Sequence, residues 1–556
     1  MKKLFALLWV LPFLALFVIG TAVALIVQRE AAESLSFTVR AGRATRRLSC
    51  WNQNNTCYVF LPSYADPSEV QVTVHGKAEV EGQNIASFLK GGFETGRTYA
   101  LTATAEDLPS KIRFEKSANA ATIYIDTASG SMEQVDGSEL HDYKEDAVIT
   151  VYTADGVLNY QSHGRDSIKG HGNWSWEQDK KSYKLTLAKS WDLLGTGTGN
   201  EYVLAANVMD PSSLRNRMIY SFADEIGTYP DFAPETCYAD VYFNGTYAGL
   251  YLLCDKIESS RYQLPLDPGS SLLEMNLDSH VSSSRPSYDL GEGMAVEIKY
   301  PEVPSEERAE EIVDSFRSLI RACEEGTGWK EQIDLDSWVN RYLIDEVFLN
   351  YDAGTGSQYF FYDASAGRWF AGPCWDFDNT LGIGAQNNWN TILTSREWYS
   401  QFVRTPLFYS LMNQPEFAAK VKETYQKVFL PKLEELVNTK ITELDREITA
   451  ARQMNAVRWT EGYDASDTEA MRSFLQDRIR FLNSLWIEGT DYCVVTLKGP
   501  AYRYYYIEKG TECGQLPIPE QMGVTGSYNW VVENTGEIFH YDAVITEDMS
   551  LIPEYK

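Results

Sequence analysis

Residues 372–382, GPCWDFDNTLG, place Asp376 and Asp378 two positions apart between aromatic rings. A carboxylate buried beside Trp and Phe is costly unless a bound cation compensates its charge. The segment ends a β-rich run, residues 359–378, and residues two apart in a strand face the same side. A strand would therefore point both carboxylates into one pocket. The alternative is a turn whose Asp side chains cap backbone N–H groups.

The chain before and after residue 301 differs in hydrophobic pattern, which predicts an α+β fold. Residues 131–300 are mostly alternating runs, including a hairpin in which Asn244-Gly245 separates two strands. Beyond Pro301, apolar residues recur at helical spacing, as in residues 305–326. A β-rich half followed by a helical half predicts two lobes, with a ligand cleft expected where they meet.

A chain of 556 residues is too long for one hydrophobic core, so roughly three or four domains are expected. We assign residues 1–30 to an apolar N-terminal segment, 35–130 to a β-sandwich-like module, 131–490 to the two-lobed domain and 491–556 to a small β-rich module. Frequent turns between short alternating runs favour the sandwich. That module carries no chemical motif and is interpreted as a spacer or a binding module.

The N-terminal segment predicts the cellular location. Residues 4–27 carry no charge and follow Lys2 and Lys3, and this length crosses a hydrocarbon core of roughly 30 Å as a helix. Lys2 and Lys3 place positive charge on the short N-terminal side of this segment, which predicts that the N-terminus stays in the cytoplasm. We therefore expect a single-pass membrane protein whose bulk is extracytoplasmic. A cleaved signal peptide with a site at residues 22–24 is the alternative.

Composition limits the classes of partner and metal. The 49 basic and 78 acidic side chains give a formal net charge of −29, which repels phosphate backbones and argues against nucleic acid as a partner. No CxxC or Cys/His spacing typical of zinc occurs. Export would permit three local disulfides, namely Cys50 with Cys57, Cys493 with Cys513, and, as a weaker candidate, Cys237 with Cys254.

Six blocks in the same order resemble the CotH-type kinases, the family named for spore-coat protein H, which are secreted or coat-associated relatives of the protein-kinase fold. The blocks are residues 169–187, 207–218, 241–253, 296–302, 346–363 and 372–382. The resemblance implies an atypical, two-lobed protein-kinase-like domain. The last segment, residues 491–556, is similar to a divergent internalin-type B-repeat in its Gly-rich turn, its Tyr-Asn-Trp motif and its closing strand.

Phosphoryl transfer needs cations against the phosphates, a carboxylate that holds magnesium, and a second carboxylate that orients the attacking hydroxyl. The resemblance implies that Asp352 is the catalytic aspartate and that Asp376 is the magnesium ligand. Asp378 matches a position that is also acidic in the family, as a second ligand or a structural support. Hard oxygen ligands in a partly dry pocket suit magnesium better than a soft metal.

The block that begins at residue 169 occupies the place of a nucleotide-covering loop. Gly170 and Gly172 would let the backbone approach phosphate closely. Lys184 alternates outward along its predicted strand and could reach a phosphate as a point charge. A solvated strand lysine is the alternative, and Lys181 is a rival for the role.

Arg215 lies near the start of a predicted helix, where it could bind phosphate, pair with a carboxylate such as Asp376, or form a plain surface ion pair. Related sequences often carry Asn or Ser a few residues after the catalytic aspartate, whereas this chain carries Ser357 and Gln358. Either could supply an oxygen to a second metal ion, although neither is a strong ligand.

These observations predict an extracytoplasmic Ser/Thr protein kinase that uses ATP and Mg²⁺ to phosphorylate a protein at the cell surface. A surface adhesin or scaffold that keeps a catalytically weak kinase-like fold for binding is the alternative. A glycosidase with Asp352 and Asp376 as its carboxylate pair is a third interpretation, because paired carboxylates and aromatic residues also line sugar-cleaving sites.

Overall fold

The computed structural model describes residues 35–556, apart from residues 105–107, 163, 230–231, 258–263, 265, 278–285, 292, 351, 354–355, 384–405, 460–464, 500–501, 515 and 523. The described residues fall into two compact units. The first contains those of Met1–Ala206, Cys237–Leu253 and Glu447–Tyr463, and the second contains those of Asn207–Thr236, Cys254–Arg446 and Asp464–Lys556.

The first unit begins with two small sheets. Their strands are β1 Leu35–Ala41, β2 Ala44–Ser49, β3 Trp51–Gln53, β4 Thr56–Leu61, β5 Gln71–Val74, β6 Ala78–Val80, β7 Gln83–Asn84, β8 Thr98–Ala103 and β9 Lys111–Lys116. The orders are β2-β1-β5 and β3-β4-β9-β8-β6-β7, and β4 runs parallel to β9. Helix α1, Ile85–Gly91, is capped by the Asn84 side chain. Phe37, Val59 and Phe114 belong to one core shared by the two sheets.

A larger sheet follows in the same unit. Its strands are β10 Ala121–Thr127, β11 Lys144–Tyr152, β12 Leu158–Gln161, β13 Asp166–His171, β14 Ser182–Asp192, β15 Thr198–Ala205, β16 Thr236–Phe243 and β17 Thr246–Asp255, with α2 at Glu133–Asp136. The order is β10-β16-β17-β15-β14-β13-β11-β12, and β10 also pairs with β11, which closes a ring. Strand β10 pairs in parallel with β16, and the domain boundary at residue 130 stays a prediction. The predicted hairpin is confirmed: Asn244 and Gly245 both adopt positive φ, at 50° and 83°.

The second unit contains a five-stranded sheet and helices. The elements up to residue 371 are α3 Arg215–Ile226, β18 Ser271–Leu277, β19 Ser287–Gly291, β20 Met294–Tyr300, α4 Glu306–Glu325, α5 Leu335–Val347, β21 Gln358–Asp363 and β22 Arg368–Ala371. The sheet order is β19-β20-β18-β21-β22. Ser305 caps the start of α4, and Gly326, at φ 70°, ends it. The predicted helix over residues 305–326 is confirmed.

The rest of the second unit is helical and then β-rich, although part of helix α9 belongs to the first unit. The elements are α6 Pro406–Met412, α7 Pro415–Thr424, α8 Leu430–Glu435, α9 Ile441–Arg458, α10 Ala465–Asn483, β23 Tyr492–Lys498, β24 Tyr502–Glu508, β25 Thr511–Glu512, β26 Tyr528–Val532, β27 Val544–Ile545 and β28 Met549–Tyr555. Short 3₁₀ or π turns span Pro67–Glu69, Trp174–Glu177, Tyr425–Phe429, Leu436–Lys440, Ser484–Glu488 and Pro519–Met522. The last strands form sheets β24-β23-β28-β26 and β25-β27. The predicted α+β class is confirmed.

Two sequence predictions, the membrane anchor and the disulfides, concern features that are not found among the described residues. Among the described residues, no helix is long and apolar enough to cross a membrane, and the predicted anchor over residues 1–30 lies outside them. The predicted disulfides are absent, since no disulfide joins the eight cysteines, all of which are described. Disulfide formation proceeds through a thiolate, and burial disfavours that form by raising the pKa of Cys57 well above its usual range and that of Cys513 to about 11.

Candidate active site

The two aspartates of residues 372–382 lie in an irregular loop that follows β22. The strand ends at Ala371, and Asp376 adopts a left-handed backbone at φ 63°, so the predicted strand alternation is wrong at this point. The carboxyl groups nevertheless meet, since the side chains of Asp376 and Asp378 lie close enough to share a proton in a hydrogen bond. A turn brings them together where a strand was expected. A left-handed non-glycine residue is costly and typical of functional sites.

Helix α3 holds this loop through residues that sequence reasoning missed. The backbone N–H of Asp376 donates to the Tyr220 hydroxyl at 3.0 Å, and that of Phe377 donates to Asn216 Oδ1 at 2.7 Å. Asn216 and Tyr220 are four residues apart and therefore lie on one helix face. Asn216 lies inside one of the six blocks, and a Tyr four residues after it is the signal that could have identified the pair. They fix the backbone on which Asp376 is carried.

Asp352 follows α5, which ends at Val347. Its backbone N–H donates to Asn350 Oδ1 at 3.2 Å, and its carboxylate accepts a hydrogen bond from Asn379 Nδ2 at 3.3 Å. Asn379 directly follows Asp378 in the chain. The structure therefore brings Asp352 and the two aspartates of the 372–382 segment into one cluster.

Electrostatic crowding is the main property of this cluster. Burial raises the pKa of Asp378 well above its usual range, and the charges of Asp376, Asp352 and Asp210 raise it further. Burial also raises the pKa of Asp376, while hydrogen bonds from Ser357 and Asp378 oppose that rise. Buried carboxylates that repel each other bind a hard cation favourably, because its charge replaces a shared proton.

The candidate donors are oxygen atoms, as magnesium prefers, but the side chains present are fewer than a full magnesium coordination shell requires. Among the described residues, no group of three or more His, Cys, Asp or Glu side chains has the arrangement of a metal site. Asp376 and Asp378 are two hard oxygen donors, and the Ser357 hydroxyl lies 3.3 Å from Asp376 Oδ2. Magnesium usually takes one or two carboxylates and completes its shell with water and substrate phosphate. The pair is therefore compatible with this ion.

Ser357 and Gln358 occupy different environments although they are adjacent. Ser357, at φ 56°, faces Asp376, and its backbone N–H donates to Asn276 Oδ1 at 3.2 Å. Gln358 is 1% exposed and its Nε2 donates to Asp345 at 3.2 Å. Its Oε1 has no hydrogen-bond partner in the part of the chain that the structure describes. Each residue thus offers an oxygen, but only Ser357 is in contact with Asp376.

Arg215 lies in an internal ion-pair triad. Its guanidinium is 1% exposed and contacts Asp210 at 2.6 Å and Asp467 at 2.7 Å. Its Nε donates to the carbonyl oxygen of Thr380 at 3.1 Å. The surface ion pair considered from sequence is therefore wrong, and the cation pairs with carboxylates other than Asp376. It holds the end of the aspartate loop.

The glycines of the 169–187 block pack against the turn that follows them in the first unit. A Cβ on Gly170 would lie 2.5 Å from the Trp176 ring and 2.7 Å from His141 Cβ. Gly172 adopts φ 92°, and a Cβ there would collide with the Ser175 hydroxyl. Both glycines therefore have a packing role, because each permits close packing of the chain onto itself.

The two predicted lysines have different protein partners in the first unit. Lys181 Nζ donates to the carbonyl oxygens of Trp176 and Gln178 at 2.5 and 3.2 Å and lies 4.8 Å from the Trp176 ring centroid. Lys184 Nζ lies 2.5 Å from Glu201 Oε1, with both side chains about one-sixth exposed. Lys181 therefore stabilises its own turn, whereas Lys184 belongs to a partly accessible ion pair.

A third lysine, Lys180, was missed. Its Nζ donates to the carbonyl oxygens of Ala206 and Leu250 at 3.0 and 2.5 Å and lies 4.6 Å from the Tyr251 ring centroid. Burial lowers the pKa of Lys180 to about 7, and burial likewise raises that of Asp240 in the same unit to about 7. No periodicity separates Lys180 from Lys181, so only the packing distinguishes them.

A family model described as CotH kinase protein matches residues 168–482, which is more than half of the chain. This range contains Asp352, Asp376 and Asp378 as well as the 169–187 block. A search of the curated proteins found no match.

Proposed function

The chain belongs to the CotH kinase family, and from that premise we propose that it transfers the γ-phosphate of ATP to a Ser or Thr hydroxyl of a surface or secreted protein. The observation that carries this proposal is the meeting of Asp352 with the buried pair Asp376 and Asp378. Catalysis of phosphoryl transfer is mostly positioning and charge neutralisation, and this cluster offers the carboxylates for both.

In this proposal Asp352 orients the acceptor hydroxyl. Its carboxylate would accept the hydroxyl hydrogen and aim the oxygen at the phosphorus. The hydrogen bonds from Asn379 to its carboxylate and from its own N–H to Asn350 limit its rotation. A carboxylate held on both its side chain and its backbone is suited to this role, because misplacement of a catalytic group is costly.

Asp376 and Asp378 would hold magnesium, with the Ser357 hydroxyl and the Gln358 Oε1 atom as further candidate oxygens. Magnesium, when bound, supplies positive charge that neutralises the phosphates. The crowding that raises the pKa values of both aspartates supports a cation at this position. Asn216 and Tyr220 keep the loop in the conformation that presents Asp376.

Nucleotide contacts are proposed for the first unit, through the Lys184 ammonium and the backbone at Gly170 and Gly172. Lys184 is favoured over Lys181, because the Lys181 amine is bound by carbonyl oxygens of its own turn. Arg215 is proposed to support the aspartate loop through Asp467 and Thr380. The membrane anchor and the extracytoplasmic location rest on the sequence of residues 4–27.

The proposal is tested with the full chain, MgATP and the Asp352→Asn variant. We expect wild-type protein to bind MgATP in a calorimeter and to incorporate labelled phosphate into itself or into dephosphorylated casein. Asp352→Asn should keep MgATP binding within about threefold and lose roughly 10²–10⁴-fold of the transfer rate. Asp336→Asn, an exposed aspartate at the start of α5, is the matched control and should behave as wild type.

A folded wild-type chain that binds no MgATP would contradict the kinase proposal and would favour the adhesin or scaffold alternative. Equal transfer by wild type and Asp352→Asn would remove Asp352 from the proposed mechanism.

A further inference from the structure

One buried ion pair on helix α5 contacts both loops that carry the candidate catalytic aspartates. Arg341 and Asp345 are four residues apart, and Arg341 Nε and Nη2 donate to Asp345 Oδ2 and Oδ1 at 2.9 and 3.2 Å. The two side chains are 1% and 6% exposed. A buried ion pair is weak as a source of stability, because desolvation of both charges offsets their attraction. Its contacts therefore suggest a second role.

The Asp345 carboxylate accepts hydrogen bonds from both ends of the loop that carries Asp352. Oδ1 accepts from Asn350 Nδ2 at 3.0 Å, and Oδ2 accepts from Gln358 Nε2 at 3.2 Å. Asn350 Oδ1 in turn accepts the backbone N–H of Asp352 at 3.2 Å. With the two bonds from Arg341, the carboxylate makes four hydrogen bonds, which is its full capacity.

The Arg341 guanidinium reaches the other loop. Its Nη1 lies 3.5 Å from the carbonyl oxygen of Pro373, and its Cζ lies 5.5 Å from the centroid of the Phe377 ring. It also interacts with the Cys374 thiol. These residues flank Asp376 on both sides in the chain. The planar fork of arginine can serve Asp345 and this loop at once, which the point charge of lysine cannot do.

We propose that Arg341 and Asp345 are positioning residues that couple the loop of Asp352 to the loop of Asp376, so that the two aspartates keep one relative geometry. The catalytic consequence rests on the proposed kinase function. The coupling itself is a property of the fold and is measurable without nucleotide.

The test uses the full chain with Asp345→Asn and with Glu346→Gln as the matched control. Asparagine has nearly the same shape, but its NH₂ group would face two donors in either orientation, namely Arg341 with Asn350 or Arg341 with Gln358. Glu346 is the next residue of the same helix, is equally buried, and pairs with Arg478 at 2.6 Å. Both variants remove one buried carboxylate, and Asp345→Asn removes the carboxylate that accepts from Asn350 and Gln358.

Two readouts separate positioning from stability. Asp345→Asn should lower kcat for phosphate transfer roughly 10–100-fold with KM for MgATP within about threefold, whereas Glu346→Gln should not. Without nucleotide, amide hydrogen exchange should rise in peptides that contain Asp352 and in peptides that contain Asp376.

Equal loss of kcat in the Glu346→Gln control, or faster exchange in only one of the two loops, would overturn the coupling. If Asp345→Asn does not fold, Arg341→Lys takes its place, with the same exchange pattern expected. If wild-type protein binds no MgATP, the proposed function fails, and the exchange experiment still decides the coupling.

Discussion

Two regions supply the candidate residues: the aspartate loops of the second unit and the 169–187 block of the first. They differ in whether the charged side chains lie beside like charges or beside compensating partners. In the aspartate loops, buried carboxylates crowd together, and burial, followed by their mutual repulsion, raises the pKa of Asp378. In the 169–187 block, the cations Lys181 and Lys184 already contact carbonyl oxygens or a carboxylate. A crowded group of buried like charges therefore indicates a ligand site more strongly than the mere presence of a charged residue does.

The largest expected effect concerns the crowded carboxylates of the aspartate loops. Asp376→Asn should reduce phosphate transfer on the order of 10³-fold, because a bound metal is worth several kcal/mol in the transition state. The rise of the thermal midpoint on adding MgCl₂ and ATP should disappear. Asp363→Asn, which removes a buried turn-capping carboxylate at the end of β21, is the control for general destabilisation. If the thermal midpoint of Asp376→Asn rose with MgCl₂ and ATP as it does in wild type, the crowded carboxylates would not be the magnesium site.

The next effect concerns pH and the buried pair Asp240 and Lys180. Asp240 keeps its proton in the folded chain up to about pH 7 but loses it near pH 3.8 when unfolded, so stability falls as pH rises between these values. Lys180, with a folded pKa of about 7 against 10.5 unfolded, makes stability rise again from pH 7 to 10.5.

Urea unfolding across this range should therefore show a minimum near pH 7. Asp240→Asn should remove the acid limb, a change of at most on the order of 4 kcal/mol. Lys180→Met should remove the alkaline limb alone. An unchanged acid limb in Asp240→Asn would contradict the assignment.

A smaller effect distinguishes packing from phosphate approach at the glycines. Gly170→Ala should destabilise the chain by about 1–3 kcal/mol, because the new methyl group overlaps the Trp176 ring. Adding Trp176→Phe should recover part of that loss by freeing volume. Thermal unfolding measures both. If MgATP affinity falls more than tenfold in Gly170→Ala while stability stays constant, the glycine serves nucleotide and not packing.

The smallest effect separates the two lysines. Lys184→Met should weaken MgATP binding about tenfold, since it removes one partly exposed cation proposed to contact phosphate. Lys181→Met should change binding less than threefold, because its amine is engaged by its own turn. Calorimetry on the full chain gives both values. The reverse ranking would exchange the roles of the two residues.

Local patterns were sufficient to predict much of the fold. The capping Ser305 and the terminal Gly326 bound helix α4, and Asn244-Gly245 forms the turn between β16 and β17. These features depend on a few neighbouring residues, and their backbone preferences act over one turn of chain. The closed ring formed by β10 was not predictable, because its partner β16 is more than 100 residues away.

The sequence by itself determined the chemistry available at the candidate site: aspartates in two motifs, adjacent serine and glutamine oxygens, and the order of six blocks that identifies the family. Only the tertiary structure decided how these groups are used. Asp376 and Asp378 meet through a left-handed turn and not along a strand, and Arg215 pairs with Asp467, 252 residues further on. The physical reason is that residue type limits which interactions a side chain can make, whereas burial and long-range packing select its partner and its charge state.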